Sequence, residues 1–344
     1  MRIAQVMLAR GFGGAERSFF DVTQELTKVG HSVMVVMDPR SVLFSKVKND
    51  KSLLVIPVKC HGFWDVVASY KIKQALENFD AQVVHTHLAR SAYLGGKAAK
   101  ALGIPSLVKT HNLVKLKYYK MIDYFVATTS FQAEYLLSNG VSAKQITIIP
   151  NFTRLSPVSV VCPRAEKEPY LIRAVGRLVE KKGFDTLIAA LALVRKVPIL
   201  FQLELGGSGP ELENLTQQVK RCKLESEIKF CGWIEDVQSF IGGADLFILP
   251  SRDEPFGIVV LESMASGVPI ISSRTQGPTE ILTDEMADFF ESDNAAALAE
   301  KIIISLSSSA RWDKAQVALE KLKTTYTGEQ VVKEYEHLYN KMIQ

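Results

Sequence analysis

Nowhere in the 344 residues is there an uninterrupted apolar run of the ~20 residues that a bilayer span needs. Cysteine is scarce: Cys60, Cys162, Cys222 and Cys231 form no C-x-x-C pair and no zinc-ligand spacing. A disulfide scaffold is thereby excluded, and a reduced, cytoplasmic setting is expected. The opening MRIAQVMLARGFGG has too short an apolar core for a signal peptide and runs into a helical pattern instead of a cleavage site. No GKS or GKT occurs, so a P-loop is out, and G-x-G-x-x-G is missing too. No D-x-D pair stands ready to hold a metal on a diphosphate. Acidic residues are missing from Ala81–Ile122, which carries seven basic ones. That gap belongs to a wider asymmetry behind a net charge of +4. Residues 1–165 hold 21 Lys/Arg against 10 Asp/Glu, and residues 166–344 hold 20 against 27. The basic half favours an anionic partner or surface.

What is present is a repeated alternation. Short runs rich in β-branched residues, such as Ile3–Leu8, Ser32–Met37, Gln82–His85 and Ser106–Lys109, alternate with helical patterns such as Gly14–Val29 and Ser91–Leu102. The segment Asn151–Pro169, with three prolines, breaks the rhythm and reads as a linker. The alternation restarts with strand Tyr170–Val175, helix Lys182–Val194 and strand Ile199–Leu205. Such a pattern predicts α/β architecture, with parallel sheets covered by helices on both faces. Two doubly wound domains are expected, residues 1–160 and 161–325. Residues 326–344 should form a helix that returns to the first domain with Val331, Val332, Tyr335, Leu338, Tyr339 and Met342 on its apolar face.

Three loops at predicted strand ends carry chemistry. RGFGGAERSFF at 10–20 combines glycines with a helix N-terminus, a place where anions bind, although a tight structural turn explains the glycines equally well. AVGRLVEKKGFDTLI at 174–188 sets Arg177 at a strand end and Lys181 and Lys182 before a helix, against the sign its dipole prefers; a diphosphate clamp accounts for them better than a solvated helix start. GGSGPELENL at 206–215 offers a second glycine turn at the same sheet edge, and also reads as an ordinary helix cap. In SRDEPFGIVVLESMASG at 251–267, Glu254 reads as a carboxylate at a helix entry. Glu262 stands inside an apolar run, where an ionised carboxylate is costly without a partner. A buried arginine or the hydroxyl pair of a ribose would supply one.

Taken in order, GGAE at 13–16, GRL…KKG at 176–183, GGSGP at 206–210 and EPFGIVVLE at 254–262 resemble glycosyltransferase family 4, the retaining, nucleotide-sugar-dependent enzymes of GT-B architecture. HTH at 85–87, THN at 110–112, IIPN at 148–151 and GPTE at 277–280 are also similar, so that the likeness spans nearly the whole chain. The resemblance implies two Rossmann-like domains facing a central cleft, the first for the acceptor and the second for the nucleotide sugar. It implies that Glu262 holds the donor ribose, Glu254 engages the transferred sugar, and Arg177 and Lys182 neutralise the leaving diphosphate. Gly13, Gly14, Gly207, Phe256, Gly257 and Ile258 would complete the donor site. His111 would contact the sugar near the reaction centre, while His85 and His87 stay open between strand packing and chemistry. No cofactor and no metal are expected. The donor would be a UDP-sugar in preference to a GDP- or ADP-sugar, and the acceptor a glycan or glycolipid of a cell-surface polysaccharide such as lipopolysaccharide.

HNLVKLKYYKMIDYF at 111–125 adds a candidate membrane contact. Lys115, Lys117 and Lys120 would face anionic headgroups while Leu116, Tyr119 and Ile122 enter the interface; an ordinary basic surface explains the segment as well. A cytoplasmic enzyme peripheral to the inner membrane face follows from the first reading. Nucleic acid is a poor partner, with no binding module in the chain. The rivals are a dehydrogenase, which lacks its dinucleotide fingerprint here, a non-catalytic two-domain sugar-binding protein, and an inverting GT-B enzyme.

Overall fold

A computed structural model describes residues 1–11, 13–163 and 168–344. Phe12 of the first glycine loop and residues 164–167 of the expected linker lie outside the described residues. The chain divides into two units: Met1–Phe152 with Gly328–Gln344, and Thr153–Thr327.

Among the described residues of the first unit, β1 (Arg2–Met7), β2 (Ser32–Met37), β3 (Leu53–Pro57), β4 (Val83–His87), β5 (Ser106–Lys109), β6 (Tyr124–Ala127) and β7 (Ile146–Ile148) form one parallel sheet. Their order is β3-β2-β1-β4-β5-β6-β7. Because side chains alternate across a strand, each strand supplies two layers. Ile3, Met7, Val33, Val35 and Val83 pack with Phe19, Val22 and Leu26 of helix Gly14–Lys28. Ala4, Val6, Met34, Val36 and Val84 pack on the opposite side with helices Val66–Asn78 and Leu88–Leu102. Helix Gly328–Ile343 completes the first layer: Val331, Val332, Tyr335, Leu338, Tyr339 and Met342 recur at helical spacing and are all buried there.

In the second unit, β8 (Tyr170–Val175), β9 (Phe201–Gly206), β10 (Ile228–Gly232), β11 (Leu246–Leu249), β12 (Ile270–Ser273) and β13 (Asp288–Phe290) form a parallel sheet in the order β10-β9-β8-β11-β12-β13. Helices Phe184–Val194 and Ala295–Leu306 cover one face, and helices Ile258–Ala265 and Ala310–Thr325 cover the other. In each sheet the strand order reverses once, between β1 and β4 and between β8 and β11. Helices leave opposite faces at such a point, so the loops beyond the carboxyl strand ends diverge and open a crevice.

Several boundaries differ from the sequence reading. β4 continues through His87 instead of stopping at His85, because both imidazoles are buried within the sheet layer. Lys181 and Lys182 belong to a short 3-10 turn, Glu180–Lys182, and the helix starts only at Phe184. Glu254 does not enter a helix: the following helix begins at Ile258 after Gly257, and Pro255 and Phe256 intervene.

Candidate active site

The reversal between β8 and β11 collects the charged residues of the second unit. β8 runs into Arg177, which is exposed, and then into the 3-10 turn that carries Lys182. β11 runs into the loop Pro250–Gly257, where the Glu254 carboxylate forms an ion pair with Lys182 and accepts a hydrogen bond from Ser251 Oγ at 3.3 Å. The two loops are stitched by their backbones, with the Arg252 N–H donating to the Lys181 carbonyl at 2.8 Å. Gly183 permits this approach: its φ is +64°, and a Cβ would overlap the Pro250 carbonyl. Gly207, after β9, has φ +130° and lies against the Gly176 carbonyl, leaving no room for a side chain. Glu262 sits one turn into helix Ile258–Ala265 and is 2% exposed. Phe256 is buried among Val260 and Leu261.

In the first unit, β1, β4 and β5 bring a polar seam into the layer that helices Gly14–Lys28 and Gly328–Ile343 cover. Gln5 pairs with His85 in the sheet register and His87 pairs with Lys109, all four buried. His111 follows β5 and is half-buried. His87 Nδ1 lies 3.1 Å from His111 Nε2. Burial, reinforced by the nearby Lys109 charge, holds His111 far below the usual imidazole range, and burial does the same to His85 and His87. Gly13 precedes helix Gly14–Lys28, and a Cβ on Gly14 would meet no atom within 4 Å. Among the described residues, nothing crowds position 14.

The family model described as "Glycosyltransferase Family 4" matches residues 12–156, and the one described as "Glycosyl transferases group 1" matches residues 163–321. The chain belongs to glycosyltransferase family 4. Among curated relatives of this transferase is a lipopolysaccharide core biosynthesis glycosyltransferase, LpsE, of Rhizobium meliloti, 27% identical over 87% of this chain and 88% of its own. A glycosyltransferase structure from Rickettsia africae superposes with a TM-score of 0.85 at 20% identity, covering 100% of this chain and 98% of its own. The Anabaena protein HepE, in complex with UDP and glucose, superposes with a TM-score of 0.83 at 17% identity, covering 99% of this chain and 100% of its own. The two parallel sheets are those of the GT-B fold, and the transferase is an enzyme.

One residue of the transferase's second unit escaped sequence reasoning. Arg252 donates to both carboxylate oxygens of Asp185 at 2.7 and 2.6 Å, to Asp293, and to the Glu180 carbonyl at 2.6 Å. It ties together three loops that follow β8, β11 and β13. Burial would raise the Asp185 carboxyl, but these charge-assisted bonds hold it below its ordinary value. The signal was its place two residues before Glu254; its partners lie too far along the chain to be read as partners.

The transferase's 111–125 segment needs a correction. Tyr119 and Ile122 are 3% and 6% exposed and pack with Val114, Phe125 and Leu136, and Leu116 rests partly buried on the same cluster. Their three-residue spacing turns them inward over the 3-10 turn Leu116–Tyr118, while Lys115, Lys117 and Lys120 stay exposed. Leu113 and Met121 are the exposed apolar side chains of the segment itself, and a more exposed group, Trp64, Val66, Val67 and Tyr70, lies outside it. They adjoin the lysines, because Phe63 stacks on Tyr118 at 4.2 Å and the Lys117 ammonium lies 4.9 Å from the Tyr118 ring centre.

Proposed function

We propose that this enzyme transfers a sugar, with retention, from a nucleoside diphosphate sugar to a hydroxyl of a glycan or glycolipid acceptor in cell-surface polysaccharide synthesis. The observation that carries the reading is the meeting of Lys182 and Glu254 at the β8/β11 reversal, with Arg177 on the preceding loop and buried Glu262 on the following helix. Arg177 and Lys182 take the diphosphate charge as the glycosidic C–O bond breaks. Glu262 accepts from the ribose hydroxyls and Glu254 from hydroxyls of the transferred sugar. The acceptor oxygen bonds to the anomeric carbon on the face the phosphate leaves, and its proton passes to the departing phosphate oxygen. UDP is the favoured nucleotide, in keeping with the UDP of the HepE complex.

For the acceptor we assign the cavity of about 380 Å³ at the β1/β4 reversal, lined by Leu8, Phe63, Leu88, Arg90, Lys115 and Tyr118. Aromatic faces suit a saccharide ring, and the two cations suit an anionic substituent. Lipopolysaccharide core synthesis, the role in the name of the Rhizobium relative, supplies acceptors of that chemistry. The exposed Trp64–Tyr70 patch beside the lysines supports docking on an anionic membrane. No helix among the described residues is long and apolar enough to cross one.

The test is nucleotide release from UDP-, GDP- and ADP-sugars with EDTA present, beside Glu262→Ala. Release from one donor, insensitive to EDTA and reduced at least ~100-fold in the variant, is expected. Equal turnover by the variant would remove the site assignment. Anomeric analysis of the product separates retention from inversion.

A further inference from the structure

The polar seam of the first unit is a directional chain. Gln5 stands between two imidazoles, its Nε2 donating to His85 Nδ1 at 3.2 Å and its Oε1 lying 3.0 Å from His87 Nε2. The Tyr339 hydroxyl, on helix Gly328–Ile343, lies 2.8 Å from the same His85 Nδ1, whose single lone pair it shares with the longer Gln5 contact. A carboxamide oxygen only accepts, so His87 Nε2 carries the proton that Gln5 receives. His87 is fully buried, its ring stacked on His85 at 4.4 Å and met edge-on by Phe19 at 5.2 Å, with the Lys109 ammonium nearby. Those surroundings keep it neutral, and a neutral imidazole has one N–H. Its Nδ1 is therefore a bare acceptor, and the 3.1 Å contact requires His111 Nε2 to be the donor.

We propose that Gln5 and His87 are positioning residues that hold His111 as its Nε2–H tautomer, leaving Nδ1 as a lone pair for a substrate hydroxyl beyond the carboxyl end of β5. Ring orientation is set by the same contacts, since His87 and His111 stack with 24° between their planes. With the Gln5 amide reversed, every donor and acceptor in the chain would reverse. His111 would then carry its proton on Nδ1 and the Tyr339 hydroxyl would lose its acceptor, the converse of the stated orientation, in which the buried His85 Nε2–H has no acceptor among the described residues. A hydroxyl-accepting His111 is thus the product of a glutamine more than 100 residues away in sequence, oriented by a tyrosine of the helix Gly328–Ile343.

The substrate half of this proposal rests on the glycosyltransferase reading, and the tautomer half does not. Long-range ¹H–¹⁵N spectra of the full chain with labelled histidine, near neutral pH, report the tautomer of each of the six imidazoles, and His111→Asn assigns the signal. A wild-type His111 signal of the neutral Nε2–H form is expected. Gln5→Met should produce a mixture of tautomers and lower kcat roughly 10-fold with little change in donor KM, because orientation is lost and binding is not. A His111 signal that is Nδ1–H or doubly protonated in the wild type overturns the proposal, whether or not the variant folds. So does a folded Gln5→Met protein whose tautomer and kcat are both unchanged. The spectra need no substrate, so an error in the transferase reading would show in the nucleotide-release assay and leave them as they are.

Discussion

Lys109 places a charge in the interior of the first unit. Its ammonium is fully buried, 5.4 Å from the Tyr335 ring centre, and no group among the described residues accepts a hydrogen bond from it. Burial pulls its pKa down to about 7, with the Asp21 charge opposing that pull. A base whose folded pKa lies below its unfolded value binds more protons when unfolded, in the window between about 7 and the unfolded value near ~10.4. Its contribution to stability therefore rises with pH across that window, by roughly 1.4 kcal/mol per pH unit, and below it the penalty is complete. Urea denaturation at several pH values should show this slope in the wild type and a flatter one in Lys109→Met. Parallel curves would mean that Lys109 reaches water or a partner. At this scale the second unit was the more legible. Arg177, Lys182, Glu254 and Glu262 lie within two contiguous stretches whose charges contradict their surroundings. The seam of Gln5, His85, His87 and Lys109 was hidden, because one or two polar residues on a strand read as a strand end until the strands are laid side by side.

Among elements, the loop and helix that carry Trp64, Val66, Val67 and Tyr70 leave the largest unexplained exposure, with Trp64 79% and Val66 72% accessible. A helix start of this kind, next to Lys115, Lys117 and Lys120, combines apolar area with charge in the way an interfacial anchor does. Co-sedimentation with vesicles containing an anionic phospholipid should fall about 10-fold in Trp64→Ser/Val67→Ser and in Lys117→Glu/Lys120→Glu, each lysine near the surface being worth ~1 kcal/mol. Binding equal to wild type in both would leave the patch without this role. The strand and helix alternation was readable, because parallel strands buried on both faces stand out as β-branched runs. The inward turn of Tyr119 and Ile122 was not: mixed lysines and aromatics look the same whichever set faces the protein, and only the Val114, Phe125 and Leu136 cluster decides it.

For the whole molecule, the division of the chain matters more than its sheets. The first unit is discontinuous, and six buried side chains of helix Gly328–Ile343 belong to its core. At ~1.5–3 kcal/mol each they amount to on the order of 10 kcal/mol, comparable with the entire ~5–15 kcal/mol that holds a typical domain folded. A chain ending at Thr327 should lose the calorimetric transition of the first unit and keep that of the second. Tyr335→Ala should lower only the first transition, by about 3–5 kcal/mol. Two intact transitions in the shortened chain would show that the helix is dispensable. The two-sheet α/β class was legible in the order of elements. The strand orders were not, since alternation alone does not say on which side of β1 or β8 the next crossover lands.

That discontinuity also bears on how the protein is made. Synthesis runs from N- to C-terminus, yet the apolar layer over Ile3, Val35, Val83 and Leu107 is closed by residues 331–342. Every residue of the second unit must be translated before the first can finish. The usual N-terminal-first sequence of domain folding is inverted here: the unit that emerges first completes last, and until then it carries an open apolar face that must be shielded from neighbouring chains.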